Sequence, residues 1–209
     1  MHTKEPSSDY ELAVVRGFEE EMTGFAVLSR CQAPPVRVSR DGSSSRHWMD
    51  YTPLAGEEYS STTNVERPAE ELRELMHLTP ELFALLRRMK HKAVPGVLVG
   101  VSNGAVVAGE VALWMADQRE NAAPVLLLLL SGLPARDTVP RLAEELPGRA
   151  LLTVGDGDHY FGGPCTYYSI AAKLHADVAA FRGGHCRETP QLCEHLGRSM
   201  ARKLRELLP

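Results

Sequence analysis

The chain has 209 residues, of which 44% are hydrophobic and 24% are charged. This length favours one domain with a sizeable core, and the composition excludes global disorder and collagen-like architecture. Lys and Arg together number 23 against 27 Asp and Glu, which gives a net charge of −4. Proteins that bind nucleic acids through charge carry a basic surplus, so we expect no nucleic-acid partner.

The apolar segments and the cysteines exclude two further classes of protein. The longest aliphatic run, Val125–Leu130, is far shorter than the roughly 20 residues of a membrane-spanning helix. The first residues contain no apolar stretch typical of a secretory signal. The four cysteines, Cys31, Cys165, Cys186 and Cys193, lack the spacing of metal ligands. We therefore expect a cytoplasmic protein with reduced thiols, no integral membrane segment and no bound metal.

The N-terminal third is rich in residues that form loops. Proline and serine clusters interrupt the first 65 residues, which leaves two short strands predicted there, Leu12–Val15 and Phe25–Leu28. Apolar residues at helical spacing then predict one helix over Glu70–His77 and another that begins at Thr79-Pro80.

The second half alternates between strands and helices. Continuous apolar runs predict four buried strands, Val97–Val101, Val125–Leu130, Leu151–Val154 and Asp177–Phe181. Helical patterns follow each of them, at 103–117, Thr138–Leu146, Cys165–His175 and from Thr189-Pro190 onward. Such an alternation is typical of the α/β class, with a mainly parallel sheet covered by helices on both faces.

The sharpest motif is the G-x-S-x-G sequence Gly100–Gly104. Short matches of this kind arise by chance, but this one follows a predicted strand and opens a predicted helix, as a nucleophile elbow does. The turn is so tight that the positions two before and two after the serine must be nearly free of side chains, and it leaves the hydroxyl exposed above the sheet edge. The motif therefore predicts Ser102 as a nucleophile.

A nucleophilic serine needs a base and a group that orients the base. In α/β-hydrolases the acid and then the histidine follow the serine along the chain, on loops after later strands. The third and fourth predicted strands lead into the glycine-rich segments Gly155–Asp158 and Arg182–His185. This order predicts His185 as the base and Asp158 as the acid, with Asp156 as the alternative acid.

Over most of residues 26–209, these features resemble the carboxylesterase, lysophospholipase and acyl-protein thioesterase branch of the α/β-hydrolases. Six segments are similar to family motifs in the same order: Cys31–Arg37 (a PxAP turn), His47–Asp50 (SWFD), Gly100–Ala105 (GFSQGG), Ser131–Pro134 (SGxLP), Gly155–Asp158 (HGxxD) and Gly183–His185 (GxxH). Asn103 replaces the family's glutamine, and Val154 replaces its histidine.

This resemblance implies a single α/β-hydrolase domain over residues 1–209, with Ser102, Asp158 and His185 as its triad. Its acid is the second aspartate of the loop. The implied substrate is an ester or thioester of a hydrophobic acyl chain, carried by a small molecule or by a protein, and no cofactor is needed. We expect an apolar groove lined by Trp48, Met49, Leu133 and Phe161, for each of which ordinary packing is the alternative.

The N-terminus departs from the family, which begins with a strand, an HGLGD-type loop and a helix. That loop supplies one of the two backbone N–H donors of the oxyanion hole, and the other is implied here to be Asn103 of the elbow. Residues 1–24 are atypical, so we expect a shortened N-terminal region. If residues 12–20 form a strand and loop, Phe18 is the second donor. If they do not, the alternative is a catalytically impaired, vestigial or binding protein.

Overall fold

The structure, a computed structural model, describes residues 9–22, 35–38, 44–46, 95–117 and 125–208, together with a few helical positions between 70 and 88. Several predictions lie outside these residues, namely the strand Phe25–Leu28, most of the two helices expected between 70 and 90, and the groove residues Trp48 and Met49.

Apart from the separate helical positions between 70 and 88, the described residues form five helices and six strands. In order they are α1 (Asp9–Glu21), β1 (Pro35–Val38), β2 (Ser44–Arg46), β3 (Gly96–Val101), α2 (Gly104–Ala116), β4 (Val125–Leu130), α3 (Val139–Glu145), β5 (Ala150–Gly155), α4 (Pro164–Leu174), β6 (Asp177–Phe181) and α5 (Pro190–Glu206). The four predicted strands and the helices that follow them are confirmed, with ends that differ by one residue at most. The prediction that all four strands are buried holds for β4 and β5 only. It is wrong for β3 and β6, which lie at the two edges of the sheet and are half-buried or exposed at most positions. The short antiparallel pair of β1 and β2 was not predicted.

Strands β3 to β6 form a four-stranded parallel sheet in sequence order. Because the strands are parallel, their carboxyl ends meet at one edge of the sheet. That edge carries the turn at Ser102, the turn at Ser131, the segment after Gly155 and the segment after Phe181. The predicted acid and base loops therefore lie on neighbouring strands.

Helices cover both faces of the sheet, as the alternating pattern predicted. Within β4, Leu127 and Leu129 belong to the core packed beneath α2, α3 and α4. The intervening Leu126, Leu128 and Leu130 belong to the opposite core, beneath α1 and α5. A strand buried on both faces needs apolar residues at every position, and this explains the uninterrupted leucine run.

The predicted strand Leu12–Val15 is wrong, because these residues lie in α1. A strand would place Leu12 and Val14 on the same face, yet Leu12 is 49% exposed and Val14 is 3% exposed. The buried positions Ala13, Val14 and Met22 instead follow helical spacing, with Phe18 packed beside them. Four apolar residues in a row do not distinguish a strand from one turn of a buried helix.

Helix α1 lies directly on α5, and two glycines allow the close approach. A Cβ on Gly17 would overlap the carbonyl oxygen of Glu194, and a Cβ on Gly197 would overlap that of Val14. Ion pairs border this contact, joining Arg16 to Glu194, Arg198 to Glu20 and Arg202 to Glu21.

Candidate active site

Ser102 occupies a sharp turn between β3 and α2. Its φ is +53°, a left-handed conformation that residues with a side chain rarely adopt. The Ser102 N–H donates to the Leu130 carbonyl at 2.9 Å, and the Ser102 carbonyl accepts the Ala105 N–H at 3.0 Å. The turn is thus fixed to both β4 and α2, and the strained conformation is held by its neighbours.

The two glycines of the motif have different roles. A Cβ on Gly100 would lie 2.6 Å from the Gly104 carbonyl oxygen, so only glycine fits there. A Cβ on Gly104 would meet no described atom within 4 Å, which corrects the expectation that both positions must lack a side chain. A second glycine that the turn requires is Gly132, which follows β4. A Cβ there would overlap the carbonyl oxygen of Ser102.

The structure brings Ser102, His185 and Asp158 into one hydrogen-bonded chain. Ser102 Oγ lies 2.8 Å from His185 Nε2, and His185 Nδ1 lies 3.0 Å from Asp158 Oδ2. The carboxylate has no exposed surface and the imidazole is 10% exposed. Of the two neutral tautomers of His185, the one with its proton on Nδ1 donates to the Asp158 carboxylate and presents Nε2 to the hydroxyl as an acceptor. This is the arrangement in which a histidine can take a proton from a serine.

Asp158 is held by further donors. Its Oδ1 accepts the Tyr160 N–H at 3.0 Å, and the Tyr167 hydroxyl lies 3.5 Å from Oδ2. Burial, and then the negative charge of Asp158, raise the pKa of Tyr167 well above its ordinary value, so this phenol keeps its proton. Such partners offset the cost of burying a charged group.

Asp156, the alternative acid, has a different position. Its Oδ1 accepts the Gly183 N–H at 2.9 Å, and its own N–H donates to the Phe181 carbonyl at 2.9 Å. A Cβ on Gly155 would overlap the Gly183 carbonyl, so the two loops touch through their backbones. Asp156 therefore joins the acid loop to the loop that carries His185.

Aromatic rings surround the imidazole. Tyr160 stacks on His185 with ring centroids 4.4 Å apart and an interplanar angle of 27°, and it remains 43% exposed. The Phe161 ring is tilted by 54° against the imidazole, with centroids 5.6 Å apart. Sequence reasoning missed Tyr160, although its place two residues after Asp158 was visible.

The two described groove candidates are core residues. Leu133 has no exposed surface and Phe161 is 2% exposed, so neither presents an open wall to solvent. Both pack into the core beneath α2, α3 and α4. This burial fits the alternative of ordinary packing for both residues, and the Phe161 ring also lies 5.6 Å from that of His185.

The backbone N–H groups of the two predicted oxyanion donors lie in different surroundings. Asn103 directly precedes α2, where backbone N–H groups lack helical partners and the helix dipole favours negative charge. Phe18 lies inside α1 next to Gly197 of α5, and the helix uses its N–H for an internal hydrogen bond. The prediction of Phe18 as a second donor on a strand and loop over residues 12–20 is therefore wrong.

Comparisons of the chain with protein-family models, with curated proteins and with solved structures find no match. Among the residues that the structure describes, no group of three or more His, Cys, Asp or Glu side chains is arranged to hold a metal ion. No helix within the same residues has the length and apolar character needed to cross a bilayer.

Proposed function

We propose that this protein is a serine hydrolase of the α/β-hydrolase type that cleaves carboxylic ester or thioester bonds of acyl substrates. The acyl group is carried by a small molecule or by a protein, and no cofactor takes part. The observation that carries the proposal is the hydrogen-bonded chain from Ser102 through His185 to Asp158, on a left-handed turn between a strand and a helix.

In this proposal His185 Nε2 accepts the Ser102 proton while Oγ attacks the acyl carbonyl carbon. The tetrahedral intermediate collapses as His185 returns the proton to the leaving oxygen or sulfur, and an acyl-enzyme remains. Water then attacks with His185 again as the base, which releases the acid and restores Ser102. Asp158 keeps the imidazole in the required tautomer and stabilises its protonated form.

The developing oxyanion is stabilised by the Asn103 N–H at the start of α2. Removal of one oxyanion donor typically lowers the rate about 10²–10³-fold, so a single donor still supports slow turnover. Residues 12–20 supply no second donor, because they form a helix against α5. Any second donor in this account comes from another part of the chain.

The helical state of residues 12–20 also favours a second candidate function. A protein with the triad but without a complete oxyanion hole would be a catalytically impaired binding or vestigial module. Such a protein would bind acyl compounds without turnover above the level of its Ser102→Ala variant.

The test is hydrolysis of a p-nitrophenyl ester series and of a matched thioester. We expect turnover by the wild type, none above background in Ser102→Ala, and a loss of about 10⁴-fold in Asp158→Asn. Asp156→Asn is the matched control, since it alters the neighbouring aspartate and is expected to cost far less. A folded wild type no faster than Ser102→Ala would leave the impaired protein as the better account.

A further inference from the structure

We propose that Glu188 is a positioning residue for His185, an inference that rests on the proposed function. Glu188 lies in the segment between His185 and α5 and is 4% exposed. A second carboxylate buried beside the triad needs partners, because burial of an unpaired charge is costly. Its partners are Ser131 after β4 and Thr153 of β5, both without exposed surface.

The hydrogen bonds of this cluster have fixed directions. Glu188 Oε1 accepts the Ser131 hydroxyl at 2.7 Å and the Thr153 hydroxyl at 2.6 Å. Since both hydroxyl protons point to the carboxylate, both hydroxyl oxygens are turned to accept. Ser131 Oγ accepts the Cys186 N–H at 3.1 Å, and Thr153 Oγ1 accepts the Ser131 N–H at 2.8 Å.

The two N–H groups held in this way belong to strained residues. Ser131 has φ +44° and Cys186 has φ +52°, so both are left-handed without being glycine. Such conformations persist where the surrounding structure over-determines them. Glu188 supplies that restraint through the two hydroxyl groups.

These two residues flank the reacting groups. Cys186 directly follows His185, and Ser131 directly precedes Gly132, which lies against the Ser102 carbonyl. The cluster therefore links the elbow to the histidine loop and sets the distance between Ser102 Oγ and His185 Nε2, which is 2.8 Å. Misplacement of reacting groups by about 1 Å can lower a rate about 100-fold.

The test compares Glu188→Gln with Glu188→Met. The glutamine keeps an oxygen that accepts both hydroxyls, whereas methionine has similar length and accepts neither. We expect fluorophosphonate labelling of Ser102 in folded Glu188→Met to be roughly 10–100-fold slower, with lower kcat and little change in KM, and Glu188→Gln to restore most of the rate. Ser131→Ala, which cuts the link to Cys186, should resemble Glu188→Met.

Thr138→Val is the control for a merely structural effect. Thr138 is 3% exposed and its hydroxyl donates to the Ala135 carbonyl at 2.8 Å, so the variant also loses a buried hydrogen bond. It should lower stability and leave the labelling rate unchanged. Folded Glu188→Met that labels at the wild-type rate, or Glu188→Gln as slow as Glu188→Met, would overturn the proposal.

A readout without catalysis separates this inference from the proposed function. Hydrogen exchange at the Cys186 amide should be faster in Ser131→Ala and Glu188→Met, and unchanged in Ser102→Ala. If the wild type does not label at all, the proposed function fails, while this measurement still tests the cluster. An exchange rate of the Cys186 amide in Ser131→Ala equal to that of the wild type would contradict the proposed role of the cluster.

Discussion

The sheet edge and the α1–α5 face both use glycines to bring two backbones together, with different results. At the edge, Gly100 and Gly132 leave room for the turn at Ser102. Ser102, Ser131 and Cys186 adopt left-handed conformations there, and polar contacts hold them. On the helical face, Gly17 and Gly197 bring regular helices together above an apolar core. Close backbone contacts at glycine therefore position the candidate triad in one region and bury surface in the other. Substitutions at the edge should mainly lower activity, and those on the face should mainly lower stability.

Among the substitutions that test this contrast between the two regions, the largest effect is expected for Gly100→Ala. The added Cβ would lie 2.6 Å from the Gly104 carbonyl oxygen, so the turn that holds Ser102 must move. We expect fluorophosphonate labelling to fall by about 100-fold. Gly104→Ala is the matched variant, since its Cβ meets no described atom within 4 Å, and it should cost far less. Equal losses in the two variants would show that the elbow is not built as described.

Gly197→Ala tests the opposite region. Its Cβ overlaps the Val14 carbonyl, so α1 must shift away from α5. Overpacking of this kind typically costs about 1–3 kcal/mol, which urea unfolding would detect. The labelling rate of the folded protein should change little. His195→Ala, on the exposed side of the same helix, is the control, and a Gly197→Ala protein as stable as this control would contradict the close packing.

Tyr160 allows a finer test of the edge. Its ring stacks on His185 at 4.4 Å, and such aromatic contacts contribute about 0.5–1.5 kcal/mol. Loss of that restraint in Tyr160→Ala should slow labelling by about two- to tenfold. Tyr160→Phe keeps the ring and should label at the wild-type rate. If both variants lose activity equally, the hydroxyl and not the stack is responsible.

The smallest effect concerns the ion pairs along the helical face. A hydrogen bond from Arg202 keeps the pKa of Glu21 below its ordinary value. Because the folded pKa is the lower one, this stabilisation is present above the unfolded pKa and disappears as the pH falls through the folded pKa. The Tm of Arg202→Gln should therefore lie slightly below that of the wild type at about pH 7 and equal it in acid. A Tm difference that survives in acid, or in a Glu21→Gln background, would contradict this assignment.

The difference between the sheet and the α1–α5 face also explains which features could be predicted from the sequence. The leucine run of β4 could be placed because a strand buried on both faces leaves an uninterrupted apolar pattern. The meeting of the loops that carry Ser102, Asp158 and His185 was predictable because parallel strands bring their carboxyl ends together. The assignment of acid and base roles in that order came from the resemblance to α/β-hydrolases. By contrast, Leu12–Val15 is too short to indicate a period, and its partner α5 lies at the other end of the chain.

The contacts of Tyr160 and Glu188 could not be predicted from the sequence, for a related reason. A tyrosine after an acid loop and a glutamate before a helix are ordinary residues when read alone. Their roles depend on how two separate loops meet at the sheet edge. Only the folded chain shows that one stacks on His185 and the other accepts hydrogen bonds from Ser131 and Thr153.

The central claim is that Ser102 is an activated nucleophile, and labelling with a fluorophosphonate probe tests it most directly. Intact-mass analysis of the wild type, Ser102→Ala and His185→Ala should give one adduct on the wild type, located at Ser102 by peptide mapping, and none on either variant. A wild-type protein that is folded by circular dichroism and takes up no probe, or takes it up equally in Ser102→Ala, would contradict the account.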